Sequence, residues 1–248
     1  MMKKLSIITV TYNAEETLER TIKSVEQQSC DSIEYIIIDG GSTDNTLGIA
    51  ENHRGSIDIL VSEPDNGIYD AMNKGLSIAS GEYVWFLNSG DEIASNETVD
   101  MLLSEAMNTA DVIYGDTIMT SLDGSIIGGR RLSPPEKLTW KSFRNGMVVC
   151  HQSFIARRLL CSDYDTSYRF SADYEWCLKI LKKSHEIYHT HSVISRFLDG
   201  GITKQNIIPG LRERFKIMSN HFGFFMTCLY HIPISIRFFC YLIKNWRF

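Results

Sequence analysis

Six cysteines are spread through 248 residues, and no two of them form a Cys-x-x-Cys pair. The wide separation of Cys30, Cys150, Cys161, Cys177, Cys228 and Cys240 argues against a zinc site or a disulfide framework and fits free thiols in a reducing compartment. A secretory leader is not expected either. Lys3-Lys4 precedes only Leu5 to Val10, too short for an apolar signal core, so the expected location is the cytoplasm. Excess positive charge is also missing: the net charge is −5, which gives no hint of nucleic acid. No Gly-x-Gly-x-x-Gly follows the first apolar run and no Gly-x-x-x-x-Gly-Lys-Ser/Thr occurs anywhere, which removes the dinucleotide fingerprint and the P-loop. What remains is a soluble globular composition, 44% apolar and 22% charged, with enough chain for one large domain or a domain with an appendage.

The stretch from Glu82 to Asp91 organises the rest. Tyr83 to Leu87 is a short aromatic-rich apolar run that reads as a buried strand. It ends at Asn88-Ser89-Gly90-Asp91, which delivers polar groups to the carboxyl edge of a sheet, where open α/β sheets bind ligands. Leu5–Thr11, Ile33–Ile38 and Ile57–Val61 read as three further strands. Helices alternate with them. The first has Leu18, Ile22 and Val25 on its apolar face and is expected to be capped by Asn13, with Glu16 completing a capping box. Leu47, Ile49 and Ala50 begin the second, and Tyr69 to Ala79 is the third, packing through Ala71, Met72, Gly75, Leu76 and Ala79. Alternation at this spacing predicts an α/β fold with a mostly parallel central sheet flanked by helices. Parallel strands then bring three polar strand ends, Tyr12-Asn13, Asp39 to Asp44 and Asn88 to Asp91, to one side of the molecule, and that convergence predicts a site.

Beyond Asn96 the pattern loosens. A helix from Val99 to Met107 precedes strands at Val112–Thr117 and Ser125–Arg130, and Pro134-Pro135 marks a break. Val148 to Ile155 is apolar except for His151-Gln152-Ser153. Asp173 stands at the first turn of a helical run through Trp176, Leu178, Ile180 and Leu181, and Ile187 to Phe197 is a last strand. Two readings stay open at each acid. Asp91 is either a turn residue or a ligand for a hard cation, and Asp173 is either a helix cap or a general base. His151 is either a satisfied core histidine or a contact for phosphate or acceptor.

The last 45 residues differ in charge. Lys204, Arg212, Arg214, Lys216, Arg237, Lys244 and Arg247 face one acid, Glu213, a net +6 that leaves −11 on the rest. Phe222 to Ile243 is strongly apolar, but His231, Pro233 and Arg237 interrupt it, and an arginine inside a membrane span is costly. An interfacial segment presenting Arg237, Lys244 and Arg247 to lipid phosphates, and a helix pair packed on the domain or on a second subunit, are weighed evenly ahead of a true span.

Three motifs taken together resemble the family 2 inverting glycosyltransferases: Ser6 to Asn13, Asp39 to Asp44, and Asn88 to Asp91, in this order and spacing. Ser62 to Gly75 is similar to the branch of colanic acid, exopolysaccharide and O-antigen transferases. The resemblance covers the first hundred residues strongly and implies a GT-A fold. It implies that Tyr12 stacks near the nucleotide base beside Val10 and Thr11, that Asp39 accepts a hydrogen bond from the base, and that Asp91 binds Mg2+ or Mn2+. Asp173 matches the family's catalytic base, with Glu175 as rival because Ala172 replaces the acid that often precedes that base. Asn66, Lys74 and Asn88 are expected at the nucleotide, and His151 and Gln152 at diphosphate or acceptor. Asn88 stands where the family usually has an acid, which weakens the expected metal site. No Gln-x-x-Arg-Trp motif is present, so transfer of one sugar per encounter is expected.

The implied reaction is inverting transfer from a nucleotide-diphosphate sugar, UDP before GDP, to a glycan acceptor that is polyprenyl-linked. The alternatives are a sugar nucleotidyltransferase and a non-catalytic nucleotide-sugar-binding subunit. The expected organisation is a transferase domain over 1–203, with a nucleotide-sugar half (1–95) and an acceptor half (96–203). A basic, apolar, helical segment over 204–248 meets a membrane or a second copy, as in a homodimer.

Overall fold

The apolar runs form the strands they predict. β1 (Leu5–Thr11) and β2 (Ile33–Asp39) are buried at every position, as strands covered on both faces must be. β3 (Ile59–Ser62) and β4 (Tyr83–Phe86) complete a parallel half-sheet in the order β3-β2-β1-β4. The computed structural model describes residues 3–28, 30–200 and 207–245. Between the strands lie α1 (Leu18–Glu26), α2 (Thr46–Asn52) and α3 (Ile68–Ile78), and α4 (Thr98–Glu105) follows the two-residue β5 (Glu92–Ile93). Successive strand residues point to opposite faces, so the sheet divides two cores. One holds Ile7, Tyr35, Trp85 and the apolar stripes of α1 and α4. The other holds Ile8, Ile38, Phe86 and the α3 face Ala71, Met72 and Leu76. Gly75 of α3 lies so close to β1 that an added Cβ would come within 2.5 Å of Ile8 Cγ2.

The second half corrects the expectation of a mostly parallel sheet. The order continues through β8 (Phe154–Arg157), β6 (Val112–Thr120), β9 (Ile187–Leu198) and β5, with β7 (Ile126–Gly129) on β6. Only β6 and β9 pair in parallel here, while β8 runs against both β4 and β6. The whole is a mixed sheet. The chain reaches β8 from a short 3-10 turn at His151–Ser153 on the carboxyl edge, so it must run backwards. The expected cap of α1 is also corrected. Thr17 is the N-cap residue and its side chain makes no capping bond, whereas Asn13 adopts a left-handed φ of 46° and its Oδ1 accepts from the Thr43 N–H at 2.9 Å.

α5 (Ala172–Lys183) and the C-terminal pair α6 (Ile207–Phe222) and α7 (Phe224–Asn245) finish the fold. Ile217 and Met218 of α6 enter the second core. α7 packs back through Tyr230 and Ile234, and Phe222 stacks on Trp140 at 5.2 Å. Phe224, Phe225, Leu229, Ile232 and Ile236 remain exposed, Phe225 at 83%. Among the described residues no helix is long and apolar enough to cross a membrane. The boundary expected at 203 and 204, Lys204 and Arg247 lie outside the described residues, as do the side chains of Arg237 and Lys244. Cys30, Cys150, Cys161, Cys177 and Cys228 are free thiols, as their spacing predicts.

Candidate active site

The order β3-β2-β1-β4 reverses direction at β1, and the polar ends of β1, β2 and β4 meet at that reversal. The Ser89 N–H donates to Val10 O at 3.2 Å, and the Gly40 N–H donates to Thr11 O at 2.9 Å. The Asn13 N–H donates to Ser42 Oγ at 2.8 Å. Val10 and Thr11 are buried beneath this edge, and the Tyr12 ring stands 62% exposed above it. That ring is free to stack on a planar ligand.

Asp39 is buried at the end of β2. Its carboxylate accepts from the Ser42 N–H at 3.1 Å, from the Ser42 hydroxyl, and from the Ser62 hydroxyl at 2.6 Å. A carboxylate has about four acceptor directions, so three donors leave one. Asn66 and Lys74 are occupied with their own neighbours. Asn66 donates to Asp70 at the start of α3, at 2.9 Å from its N–H. Lys74 Nζ lies 2.8 Å from Glu63 and 2.9 Å from Pro64 O, and the Glu63 bond raises its pKa.

Asp91 sits below the same edge, 4% exposed. It accepts the Leu198 N–H at 3.0 Å and a bond from the Gln152 side chain. Burial pushes its pKa up to about 8 against these donors and against the nearby charge of Arg20. Gly90 has φ 97°, and a Cβ there would meet Leu198 Cδ2 at 2.7 Å, so β9 can close on this loop only over a glycine. Asn88 Oδ1 is buried without a hydrogen-bond partner, as is Thr11 Oγ1. An orphaned amide oxygen and, three residues on, a carboxyl group whose ionisation burial opposes are oxygen donors of the type that fits a hard divalent cation.

Asp173 occupies the first turn of α5 and is half-buried. Its Oδ1 accepts from the Tyr69 hydroxyl at 3.1 Å and from the Tyr174 N–H at 2.8 Å. Tyr69 opens α3 and stacks on Tyr164 at 5.6 Å. Burial and the Asp173 charge raise its pKa well above the ordinary value, so it stays a proton donor in this bond. Glu175, two residues on, turns about 200° round the helix. It is buried against α6, with Lys179 at 2.9 Å and His221 at 3.8 Å. His151 is buried, bonded through Nε2 to the Tyr164 hydroxyl at 2.8 Å and stacked on Phe86. Burial lowers its pKa, and the charge of Asp173 works the other way. Gln152 Oε1 accepts the Cys150 thiol at 3.1 Å, which turns its amide towards Asp91.

Sequence reasoning missed Ser62 and Ser42 as holders of Asp39, Tyr69 as the partner of Asp173, and the Leu198 N–H on Asp91. Ser62 and Tyr69 both lie in the run Ser62 to Gly75 whose pattern was recognised, so a signal existed, but their contacts span 23 and 104 residues. Two cations were also missed. Arg214 of α6 lies close enough to Tyr69 and Tyr174 to act on their titration, with Nε buried and unpartnered. Arg130 acts likewise on Cys150, with one terminal nitrogen unpartnered.

Known proteins resemble this chain in sequence and in fold. A PGL/p-HBAD biosynthesis glycosyltransferase of Mycobacterium bovis is 29% identical over 97% of this chain and 90% of its own. The Escherichia coli UDP-Glc:alpha-D-GlcNAc-diphosphoundecaprenol beta-1,3-glucosyltransferase WfgD is 28% identical over 73% of this chain and 71% of its own. Among solved structures, S. aureus TarS in complex with UDP-GlcNAc superposes with a TM-score of 0.66 at 19% identity, over 98% of this chain and 74% of that one. A mannosyltransferase of Pyrobaculum calidifontis with GDP-Man and Mn2+ superposes at 0.63 and 15%, over 100% and 77%. Glycosyl transferase family 2 matches residues 6–164, well over half of the sequence, and the chain belongs to that family of glycosyltransferases.

Proposed function

We propose that the protein transfers a single sugar, with inversion and without processivity, from a UDP-sugar to a lipid-linked glycan acceptor. The observation that carries the reading is Asp173. One of its carboxylate oxygens is fixed by Tyr69, in the first turn of the helix that follows β3, and by the Tyr174 N–H. A sugar hydroxyl is a weak nucleophile, and a carboxylate held in place can take its proton as it attacks the anomeric carbon. The new C–O bond forms on the face opposite the leaving group. The anomeric carbon–phosphate oxygen bond breaks, and its electrons leave with the nucleoside diphosphate. Tyr12 and Asp39 receive the base, with Val10 and Thr11 alongside. Asp91 and Asn88 would hold a divalent cation, which when bound supplies counter-charge to the departing diphosphate. Arg214 adds positive charge near Tyr69 and Tyr174, and Arg130 near Cys150.

The choice of UDP and of a lipid-linked acceptor is supported by the UDP-GlcNAc complex of TarS and by the diphosphoundecaprenol-linked acceptor that the name of WfgD states. The acceptor also suits the exposed apolar residues of α7 together with the basic residues of the last 45 positions, a combination that suits the inner face of a cytoplasmic membrane.

The test is a panel of UDP- and GDP-sugars with Mn2+ and a polyprenyl-diphosphate-linked sugar, read as nucleoside diphosphate release. Turnover with a UDP-sugar is expected, and Asp173→Asn should lower kcat by about 10²- to 10⁴-fold with an unchanged circular dichroism spectrum. Near-normal turnover by that variant would remove Asp173 as the base. Pyrophosphate release from a nucleoside triphosphate would replace the reading with a nucleotidyltransferase, and binding without turnover with a non-catalytic subunit.

A further inference from the structure

We propose a second metal site, distinct from the cation position at Asp91, formed by His189 and His191 of β9 and Glu136 of the β7–β8 connection, and suited to Zn2+ or a similar borderline divalent ion. One donor atom from each of the three residues lies within 4.8 Å of the others. The two imidazole rings face each other at 4.2 Å between centroids. Glu136 carboxylate oxygens stand 3.9 Å from His189 Nδ1 and 3.6 Å from His191 Nε2. Tetrahedral bonds of about 2.0–2.1 Å place donor atoms about 3.4 Å apart, so the two carboxylate–imidazole separations need to close by about half an ångström or less, and the widest donor pair, bounded at 4.8 Å, by about 1.4 Å at most, within reach of a side-chain adjustment at the exposed Glu136 and His191.

Two independent observations point to a bound ion here. His189 is 11% exposed at its side chain, and both ring nitrogens are buried with no hydrogen-bond partner. Buried polar atoms in folded proteins are nearly always satisfied, and an orphaned imidazole calls for an ion or a water. The second is backbone conformation. His191 has φ 52°, left-handed and unusual for a non-glycine residue. It lies in a bulge where Tyr114 pairs with His189 but Asp116 pairs with Val193. The bulge is fixed by Thr190, whose Oγ1 accepts the Ser192 N–H at 3.2 Å and which packs over Gly115. Strained conformations persist where the surroundings impose them, and they gather at functional sites.

The donors are also held in place. Tyr114 stacks parallel to His189, 4.5 Å between centroids and 5° between planes. Its hydroxyl bonds to Pro135 O at 2.8 Å and Glu136 O at 3.0 Å, so one side chain positions both an imidazole and the backbone of the carboxylate ligand. An ordinary surface ion pair would explain none of this, since Glu136 and His191 are 75% and 60% exposed and such pairs contribute little. Two imidazoles and a carboxylate suit Zn2+, with water on the exposed fourth position. The ion would clamp the connection around Glu136 to β9, just before the 3-10 turn Trp140–Asn145 that supports α6 and α7.

The test uses the full-length chain without an affinity tag, stripped with chelator and titrated with Zn2+ and Co2+. One equivalent of Co2+ should give the visible bands of a tetrahedral site, displaced by Zn2+. His191→Asn tolerates the left-handed backbone and removes the imidazole. It and Glu136→Gln should each weaken Zn2+ binding by about 100-fold while the thermal midpoint of the metal-free protein stays the same. Asp91→Asn should leave the Co2+ bands unchanged, which separates this site from the one proposed for the reaction. Absence of tetrahedral bands, or wild-type Zn2+ affinity in both His191→Asn and Glu136→Gln, would overturn the proposal.

Discussion

Asp91 makes the stability of the metal-free protein depend on pH in a direction opposite to that of most carboxylates. Burial raises its pKa from 3.8 to about 8, so the folded protein binds a proton that the unfolded chain releases between these values. The stabilisation is complete below about pH 4, falls through pH 4–8, and is lost above pH 8. At about 1.36 kcal/mol per pH unit, the interval amounts to about 6 kcal/mol at most. Asp91→Asn mimics the protonated form, keeps an oxygen for the Leu198 N–H, and does not titrate. Urea unfolding of both proteins at pH 5, 6, 7 and 8 without metal isolates the effect, because all other groups cancel in the difference. Wild type should lose ground to the variant by about 1.4 kcal/mol per pH unit, about 4 kcal/mol over the series. Saturating Mn2+ should flatten the difference, since a bound cation replaces the proton. A difference that stays constant from pH 5 to 8 without metal would refute the account of Asp91.

Tyr69→Phe removes the hydroxyl that fixes Asp173 and should lower kcat by about 10-fold, the worth of about 1.5 kcal/mol for a bond to a charged acceptor. An unchanged kcat would assign Tyr69 to packing alone. Phe225→Asp with Leu229→Asp, both on the exposed side of α7, should release the protein from anionic lipid vesicles in a flotation assay without altering its melting temperature. Vesicle binding equal to wild type would leave that face to another copy of the chain.

Local signals were legible wherever one short segment carried them. β1 runs from Leu5 to Thr11 as its apolar run predicts, and α3 buries Ala71, Met72, Leu76 and Ala79 as its spacing predicts. The three polar strand ends meet because parallel strands share one carboxyl edge. What was not legible depends on distant partners. The direction of β8 is set by the turn before it, and β5 is two residues long, too short to carry a pattern. Asn13 looked like a helix cap, but the backbone after β2 offered its side chain a better donor in the Thr43 N–H. The His189–His191 pair gave no warning, because only the bulge opposite Gly115 turns the two rings towards Glu136.

The bond between Tyr69 and Asp173 joins residues 104 apart in the chain, one in the stretch expected to hold the donor and one in the stretch expected to hold the acceptor. A change of donor preference that remodels the start of α3 would therefore also shift the carboxylate proposed above as the proton acceptor. The two specificities of such an enzyme cannot drift independently. Chimeras that exchange one half between relatives should work only when the tyrosine and the aspartate come from the same parent or have been retuned together.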